Sequence, residues 1–320
     1  MNFDLDGDDR ALQDAIRDLC RKRFPIDRIR ALEPHGGFDR DGWRALGEAG
    51  VFSIRLPEGK GGLGLGMTEA ALAFEELGRA VVPGPLIASH LAAGLLEGVA
   101  TGQRVVGFAA RAGHTTLIAY LDHLDDVLTI DHDGIWRTDA SSVTASAVTR
   151  PLDPLTPLHQ TSEMPRGERL ARHPVAARWW AAGSVLAAAQ LIGLASGVTE
   201  TAVAYAKERR QFGRPIGSFQ AIKHILADML VRAEVARAAV YAAACTIDDP
   251  SVGDAWRAAA AAKLLANDAA VANAKAALQV HGGMGYTWEV DVHLYLKRAA
   301  GLAAVFGQSD ELAEAVAASL

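Results

Sequence analysis

The chain has 320 residues, half of them hydrophobic, which suits two domains or one large helical body with a smaller insert. Its formal net charge is −6 without any basic block, which argues against a nucleic-acid-binding surface. The acidic N-terminus lacks an apolar signal region, and no apolar run looks long enough to span a membrane, so we expect a soluble cytoplasmic protein. Cys20 and Cys245 fit buried free thiols of a reducing compartment, with a disulfide as the minor alternative.

Residues 1–103 are predicted to form an N-terminal helical domain. Apolar residues recur at helical spacing in DDRALQDAIRDLCRKRF, and DGWRALGEAG predicts a short helix that ends at Gly50. TEAALAFEELGRA predicts a further helix. Its paired acids, Glu75 and Glu76, are interpreted as part of a solvated face.

Residues 104–165 have a different texture and predict a small β domain. RVVGFAA, TTLIAYL, DVLTIDHDGIW and SVTASAVT are short β-branched runs interrupted by Gly, Asp and His. His123 and His132 lie near aspartates here, but their spacing fits no pattern of metal ligands, so they are interpreted as loop residues and no metal is expected.

Residues 166–320 are predicted to be helical again, with three long Ala-rich helices that form a bundle and bury a face against other subunits. The second helix is expected from Phe219 to about Ile247 and the third from about Asp254 to His281. The residues expected to break or cap these helices are Pro215, Gly217, Ser218 and the pair Gly282-Gly283.

Two helix connections in this region combine residues suited to an anionic ligand. ERRQFGRPIGSFQAIKHILADM (208–229) places arginines, a glutamine and an aromatic residue where a helix N-terminus can meet an anion. QVHGGMGYTWEVDVHLYLKR (279–298) offers glycines for close backbone approach, an amide and an aromatic edge. Each signal alone is weak, since ordinary helix connections contain such residues.

Together the two stretches resemble the acyl-CoA dehydrogenase family, in which R-x-Q/T-F-G-x-P-I-x-x-F-Q precedes L-A-D-M and Q-x-x-G-G-x-G-Y follows later. GWRALGEAGVFSIRLPEGKGGLGLG and EELGRAVVPGP resemble that family's first domain, so the resemblance covers nearly the whole chain. It implies a mainly α fold: an N-terminal helical domain, a middle β domain and a C-terminal four-helix bundle. It also implies FAD at a subunit interface.

The resemblance assigns the FAD contacts residue by residue. Family members are usually dimers of dimers, and these two loops face the neighbouring subunit's FAD. The residues that match the motifs are Arg209, Gln211, Phe212 and Gln220 for its diphosphate and adenosine, with Gln279, Gly282 and Gly283 closing over the same region. A guanidinium opposes a diphosphate, and glycine amides approach without side-chain obstruction.

The family's proton acceptor is missing. Its glutamate, which removes the proton α to the thioester while hydride leaves for the flavin, commonly lies in a Y-E-G-T turn. That turn aligns with Phe306-Gly307-Gln308-Ser309, so the glutamate position holds Gly307. The alternative base position of other members falls near Gly183, where there is no acid either. No catalytic residue is therefore predicted in this chain.

The middle domain also departs from the family. The T-E-P-x-x-G-S-D strand has its nearest counterpart in GFAARAGHTT (107–116), which lacks Glu, Pro and the Ser-Asp pair. The chain thus resembles the short, base-less subunit of heteromeric α2β2 members known from steroid side-chain breakdown. We expect a longer homologue to supply the base, the flavin pocket and most of the acyl-CoA site, with an electron-transfer flavoprotein as acceptor.

Two alternatives remain open. The first is a self-sufficient dehydrogenase with a displaced base, for which Glu289, Asp310 and Glu311 are candidates, although Asp310 and Glu311 also fit a helix N-terminus. The second is a non-enzymatic scaffold subunit that binds no cofactor. Retention of both FAD motifs counts against the scaffold.

Overall fold

A computed structural model describes residues 5–131 and 133–319. The helices are α1 (Gly7–Arg23), α2 (Ile26–Ala31), α3 (Arg40–Glu48), α4 (Met67–Arg79), α5 (Leu86–Ala92), α6 (His173–Glu208), α7 (Gln220–Asp248), α8 (Ala255–His281), α9 (Val292–Ala303) and α10 (Ser309–Ala318). The strands are β1 (Val106–Ala112), β2 (Thr115–Ala119), β3 (Asp126–Ile130), β4 (Gly134–Asp139), β5 (Ser146–Ala147), β6 (Leu158–Thr161), β7 (Glu168–Arg172), β8 (Arg210–Gln211) and β9 (Arg214–Pro215).

The chain forms two compact units, each built from separate stretches of sequence. The helical unit comprises the chain up to Lys22, Ala71–Val82 and everything from Ser184 onward. The sheet unit comprises Arg23–Ala70 and Pro83–Gly183. The domain boundaries predicted at residues 103 and 165 stay a prediction.

The sheet unit contains one seven-stranded sheet in the order β5-β6-β2-β1-β3-β4-β7. Strands β1 and β3 pair in parallel, and every other pair in this sheet is antiparallel. The β-branched runs predict the first strands well, but β6 and β7 were not predicted. LHQT and ERLAR have few β-branched residues, so their pairing with β2 and β4 outweighs weak local preference.

The helical unit is a bundle of close-packed helices with small side chains between them. Helix α7 packs along α8, which also contacts α9 and α10. Asn273 on α8 is fully buried, and its amide donates hydrogen bonds to Thr199 Oγ1 on α6 (3.2 Å) and to Met229 O on α7 (2.8 Å). One polar side chain thus joins three helices. This observation agrees with the predicted mainly α fold and C-terminal bundle.

Glu75 and Glu76 do not form a solvated face, because each is only 1% exposed in the helical unit. Arg17 donates two hydrogen bonds to Glu76 at 2.9 and 3.0 Å. Glu75 accepts from Arg237 at 3.1 Å and from Tyr241 Oη at 2.7 Å. The two carboxylates can be buried because these groups donate hydrogen bonds to them. The donors lie up to 166 positions away in the chain, so the local sequence does not reveal the pairing.

Helix α6 corrects the expectation that no segment could span a membrane. It is long and apolar enough to do so by length and composition, yet all of its most apolar window is buried inside the protein. A helix buried on all faces is apolar all round, which explains the resemblance to a membrane span. The two cysteines are free thiols; Cys20 is buried, whereas Cys245 is only half-buried.

Candidate functional site

The first predicted loop is a tight hairpin between α6 and α7. Strands β8 and β9 pair around Phe212 and Gly213, whose φ angles are +51° and +78°. Positive φ at two central residues is the geometry of a two-residue hairpin, but it is uncommon for a bulky residue such as Phe212. Phe212 is also 92% exposed. Its ring meets the Phe219 ring edge to face, with centroids 6.1 Å apart, and is otherwise open to solvent within the described residues.

The polar residues predicted around this hairpin share its exposure. Arg209, Gln211 and Gln220 are all exposed. Neither Arg209 nor the neighbouring Arg210 forms an ion pair with any residue that the structure describes. Their guanidinium groups are thus available to an anion.

The N-terminus of α7 differs from the sequence prediction. Ser218 does not cap the helix; its hydroxyl donates to Pro215 O at 2.7 Å instead. The N-cap residue is Phe219, whose side chain has no acceptor for the first backbone N–H groups. The Arg214 guanidinium, which sequence reasoning did not single out, lies 4.2 Å from the centre of the Phe219 ring. These N–H groups and Arg214 suit an anionic ligand.

The second predicted loop begins where α8 ends. Gly282 adopts φ +61° and ψ −139°, and Gly282–Tyr286 forms a single 3₁₀ segment. Gln279, Gly282 and Gly283 are exposed. A Cβ added at Gly282 or Gly283 would meet no atom within 4 Å. Internal packing therefore does not explain the absence of side chains there, which leaves room for a close approach from outside.

An aromatic contact joins the two loops within the helical unit. The rings of Tyr205, near the end of α6, and His281, the last residue of α8, stack with centroids 4.0 Å apart and planes 20° apart. Arg209 N–H donates to Tyr205 O at 2.8 Å, and Gly282 follows His281 directly. The structure thus places both motifs around one stack.

The turn expected to hold the base has a defined conformation. It lies between α9 and α10, and Phe306 and Gly307 have φ angles of +57° and +106°. The Ser184 hydroxyl donates to Phe306 O at 3.2 Å, so the helix residue beside Gly183 contacts this turn. A φ of +106° is rarely adopted by L-residues, so the backbone at Gly307 is suited to glycine.

Buried polar groups hold the turn from behind. Lys263 is fully buried, and its ammonium donates to Asn267 Oδ1 at 2.6 Å, Leu302 O at 3.2 Å and Ala303 O at 3.3 Å. Asn267 Nδ2 in turn donates to Ser309 Oγ at 3.3 Å. Burial lowers the pKa of Lys263 to about 7, whereas the carbonyl groups at the end of α9 favour its charged form.

The carboxylates nearest the turn lie outside the base position. Glu311 forms a capping box with Gln308, whose backbone N–H donates to Glu311 Oε2 at 3.2 Å. Asp310 is in the first turn of α10, and Glu289 lies in the exposed loop before α9. Within residues 5–131 and 133–319, no three His, Cys, Asp or Glu side chains are grouped to hold a metal ion. His132 lies outside the described residues.

Two family models match this chain. The acyl-CoA dehydrogenase N-terminal domain matches residues 6–103, and the acyl-CoA dehydrogenase C-terminal domain matches residues 176–320. The chain belongs to the acyl-CoA dehydrogenase family. Membership makes it an oxidoreductase that acts on CH–CH donors.

Individual relatives agree with this assignment. Acyl-CoA dehydrogenase IpdE2 of Mycolicibacterium smegmatis is 35% identical over 312 residues, which cover 94% of each chain. The Tcur3481-Tcur3483 steroid acyl-CoA dehydrogenase variant has a TM-score of 0.83 at 25% identity, covering 97% of each chain. The ChsE4-ChsE5 complex of Mycobacterium tuberculosis has a TM-score of 0.85 at 22% identity, covering 100% of this chain and 98% of that one.

Solved structures with this fold include the FAD complex of PigA, with a TM-score of 0.83 at 20% identity. The exposed loops of this chain fit part of that cofactor. Arg209 and Arg214 can oppose a diphosphate, and the α7 N-terminus adds backbone N–H groups. Gly282 and Gly283 leave open space for a ribose or phosphate to approach the backbone. The residues present are therefore chemically suited to the ADP half of FAD.

Proposed function

We propose that this chain is the short subunit of a heteromeric, FAD-dependent acyl-CoA dehydrogenase with α2β2 composition. The observation that carries the proposal is the turn at Gly307. The position expected to hold the catalytic carboxylate has no side chain, and its backbone, at φ +106°, is suited to glycine. A longer partner then supplies the base, the flavin pocket and most of the acyl site.

The proposed reaction is the α,β-dehydrogenation of an acyl-CoA thioester. When bound, FAD supplies the acceptor for the hydride that leaves the β carbon. This chain binds and orients the ADP half through Arg209, Gln211, Phe212, Gln220, Gln279, Gly282 and Gly283. Its guanidinium groups neutralise the diphosphate, while the exposed Phe212 ring gives apolar contact to the adenosine or to the partner surface beside it.

The substrate in this proposal is a bulky steroid side-chain or other lipid acyl-CoA. A steroid acyl-CoA dehydrogenase among the structural neighbours supports this substrate class. An electron-transfer flavoprotein as the electron acceptor belongs to the same proposal. A cytoplasmic location, with no nucleic-acid or membrane partner, stays a prediction from the sequence.

Co-expression with a longer homologue that has an acid at the base position tests this function. With the tag on this chain alone, we expect purification of a tetramer that contains both proteins and two FAD molecules. It should dehydrogenate acyl-CoA, whereas this chain expressed alone should not. A homotetramer of this chain that holds four FAD molecules and turns over acyl-CoA would contradict the proposal and favour a displaced base.

Arg209→Ala in the co-expressed complex separates a shared FAD site from a scaffold. Loss of charge-assisted hydrogen bonds to a diphosphate should weaken FAD binding by about 10- to 100-fold. Arg257→Ala is the matched control, because Arg257 is also exposed but lies at the start of α8, about 36 Å along the helix from His281. Unchanged FAD affinity in Arg209→Ala would support the scaffold.

A further inference from the structure

The stack of Tyr205 on His281 lies at the helix ends next to the two loops that carry the proposed FAD contacts. Tyr205 is four residues before Arg209, and His281 is directly before Gly282. The two residues belong to different helices, α6 and α8, that end at this place. We propose that Tyr205 and His281 are positioning residues, which hold the hairpin and the glycine loop in one preformed surface for the ADP half of FAD.

On the hairpin side, Tyr205 is connected to the loop through the backbone. Arg209 N–H donates to Tyr205 O at 2.8 Å, and Arg209 O accepts from Ile216 N–H at 2.8 Å. These bonds close the last turn of α6 and the base of the hairpin. A displacement of Tyr205 would therefore move the backbone from which the Arg209 side chain projects.

On the glycine-loop side, a hydrogen bond holds the imidazole. His281 Nδ1 lies 2.8 Å from Ala277 O, and Nδ1 must donate because a carbonyl oxygen can only accept. The residue is 6% exposed, and burial lowers the pKa of its imidazole below the usual value. The ring is thus fixed in orientation at the residue directly before Gly282.

The loops need such support because their outer parts have little of their own. Phe212 is 92% exposed, and the space around Gly282 and Gly283 is open. Loops that must be ordered by the ligand lose affinity to the entropy of ordering, whereas a preformed surface avoids that loss. A contact that holds both loops before FAD arrives should therefore set the affinity without touching the cofactor.

The inference rests on the proposed FAD function, and substitutions in the co-expressed complex test it. His281→Asn keeps a donor near Ala277 O but removes the ring, and Tyr205→Leu removes the opposite ring. We expect each to weaken FAD binding by about tenfold, measured by flavin fluorescence during reconstitution of the FAD-free complex. Tyr205→Phe keeps the ring and should bind FAD within about twofold of the wild type.

The double variant gives the readout that a merely structural role would not move. If the stack acts as a unit, His281→Asn with Tyr205→Leu should bind FAD about as weakly as either single variant. Additive losses would contradict the inference. If one single variant fails to assemble, the other decides the question. Wild-type FAD affinity after loss of one of the two rings would overturn the proposal.

A second histidine stack in the sheet unit provides the matched control. Phe38 and His123 stack with centroids 5.0 Å apart and planes 22° apart. His123→Leu should leave FAD affinity unchanged, and an equal loss there would mean that any such stack acts through general stability. Arg209→Ala, measured in parallel, separates the hypotheses. If Arg209→Ala binds FAD as tightly as the wild type, the proposed FAD site is wrong. If Arg209→Ala loses affinity but the Tyr205 and His281 variants do not, the FAD site stands and the positioning role is wrong.

Discussion

Two turns of the helical unit both contain glycine at positive φ, yet they differ in what surrounds them. The loop at Gly282 and Gly283 is exposed, with open space where side chains would project. The turn at Gly307 is half-buried and is held by Ser184 and by the buried Lys263 network. The Gly282-Gly283 loop is therefore an open surface with room for a ligand. The Gly307 turn is a structural element fixed by contacts from other helices.

Under the proposed function, the difference shows how a subunit can lack the catalytic base and keep the residues that bind FAD. At Gly307 the base position is empty, but the backbone around it is supported by side chains from other helices. At Gly283 no described atom lies within 4 Å of an added Cβ, so packing does not explain the glycine, and the proposed FAD contact would. Substitutions that disturb the Gly307 turn should therefore lower stability, whereas substitutions at Gly283 should lower FAD affinity.

Removal of the Lys263 side chain should have the largest effect. Lys263→Ala leaves a cavity, and it removes the donor for the carbonyl groups of Leu302 and Ala303. We expect a loss of about 3 to 4 kcal/mol in unfolding free energy, measured by urea denaturation. Lys275→Ala, at an exposed position of the same helix, is the control and should change stability by less than about 0.5 kcal/mol.

The lowered pKa of Lys263 predicts how the unfolding free energy depends on pH. With its pKa lowered to about 7 by burial, Lys263 should release its proton near pH 7 in the folded chain, whereas the unfolded chain keeps the proton up to the ordinary pKa of 10.5. Between these values the unfolded state binds more protons, so stability should rise with pH by about 1 kcal/mol per unit. Below pH 7 this contribution no longer changes.

Urea denaturation of the wild type and Lys263→Met from pH 7 to 9 isolates this contribution. The stability difference between them should shift by about 2 kcal/mol in favour of the wild type as the pH rises. Parallel curves would mean that the helix-end carbonyl groups hold Lys263 charged throughout. In that case the turn at Gly307 would be fixed by a permanent buried charge.

Sequence reasoning found the elements that local pattern determines. Helices α7 and α8 begin and end within about a residue of their predicted bounds, because breaks at Gly, Pro and Asp interrupt long Ala-rich runs. The motif residues from Arg209 to Gly283 lie at helix connections and are exposed, as local sequence indicated, and their contacts with FAD stay a prediction.

What the sequence did not reveal depends on distant partners. Lys263 looks like any lysine of an Ala-rich helix until its acceptors, 39 and 40 residues further on, are known. Ser218 is a good N-cap residue by type, but its hydroxyl turns back to Pro215 O. The stack of His281 on Tyr205 joins residues 76 positions apart, and no local pattern marks it.

A glutamate at position 307 tests whether the turn can regain the base. Gly307→Glu must adopt φ +106° or move the turn, so we expect it to lower stability by about 1 to 2 kcal/mol. It should confer no acyl-CoA-dependent flavin bleaching on this chain expressed alone. Bleaching by this variant would show that the missing carboxylate is the only defect, which would favour recent loss of a complete site.

The smallest effect on stability is expected at Gly283. A substitution there also tests directly whether the open glycine loop binds FAD. A Cβ at this position meets no atom within 4 Å, and the residue is not at positive φ, so Gly283→Ala should change stability by less than about 0.5 kcal/mol. If a phosphate or ribose approaches this backbone, the added methyl group should weaken FAD binding by about tenfold.

The neighbouring Gly285 provides the opposite case. Its Cβ would lie 2.7 Å from Leu278 O, so Gly285→Ala should lower the thermal stability of the FAD-free complex, which Gly283→Ala should not. Equilibrium titration of FAD and thermal unfolding of both variants separate the two kinds of glycine. Unchanged FAD affinity in Gly283→Ala would mean that the open space is not occupied by the cofactor. The contrast with the Gly307 turn would then reflect exposure alone.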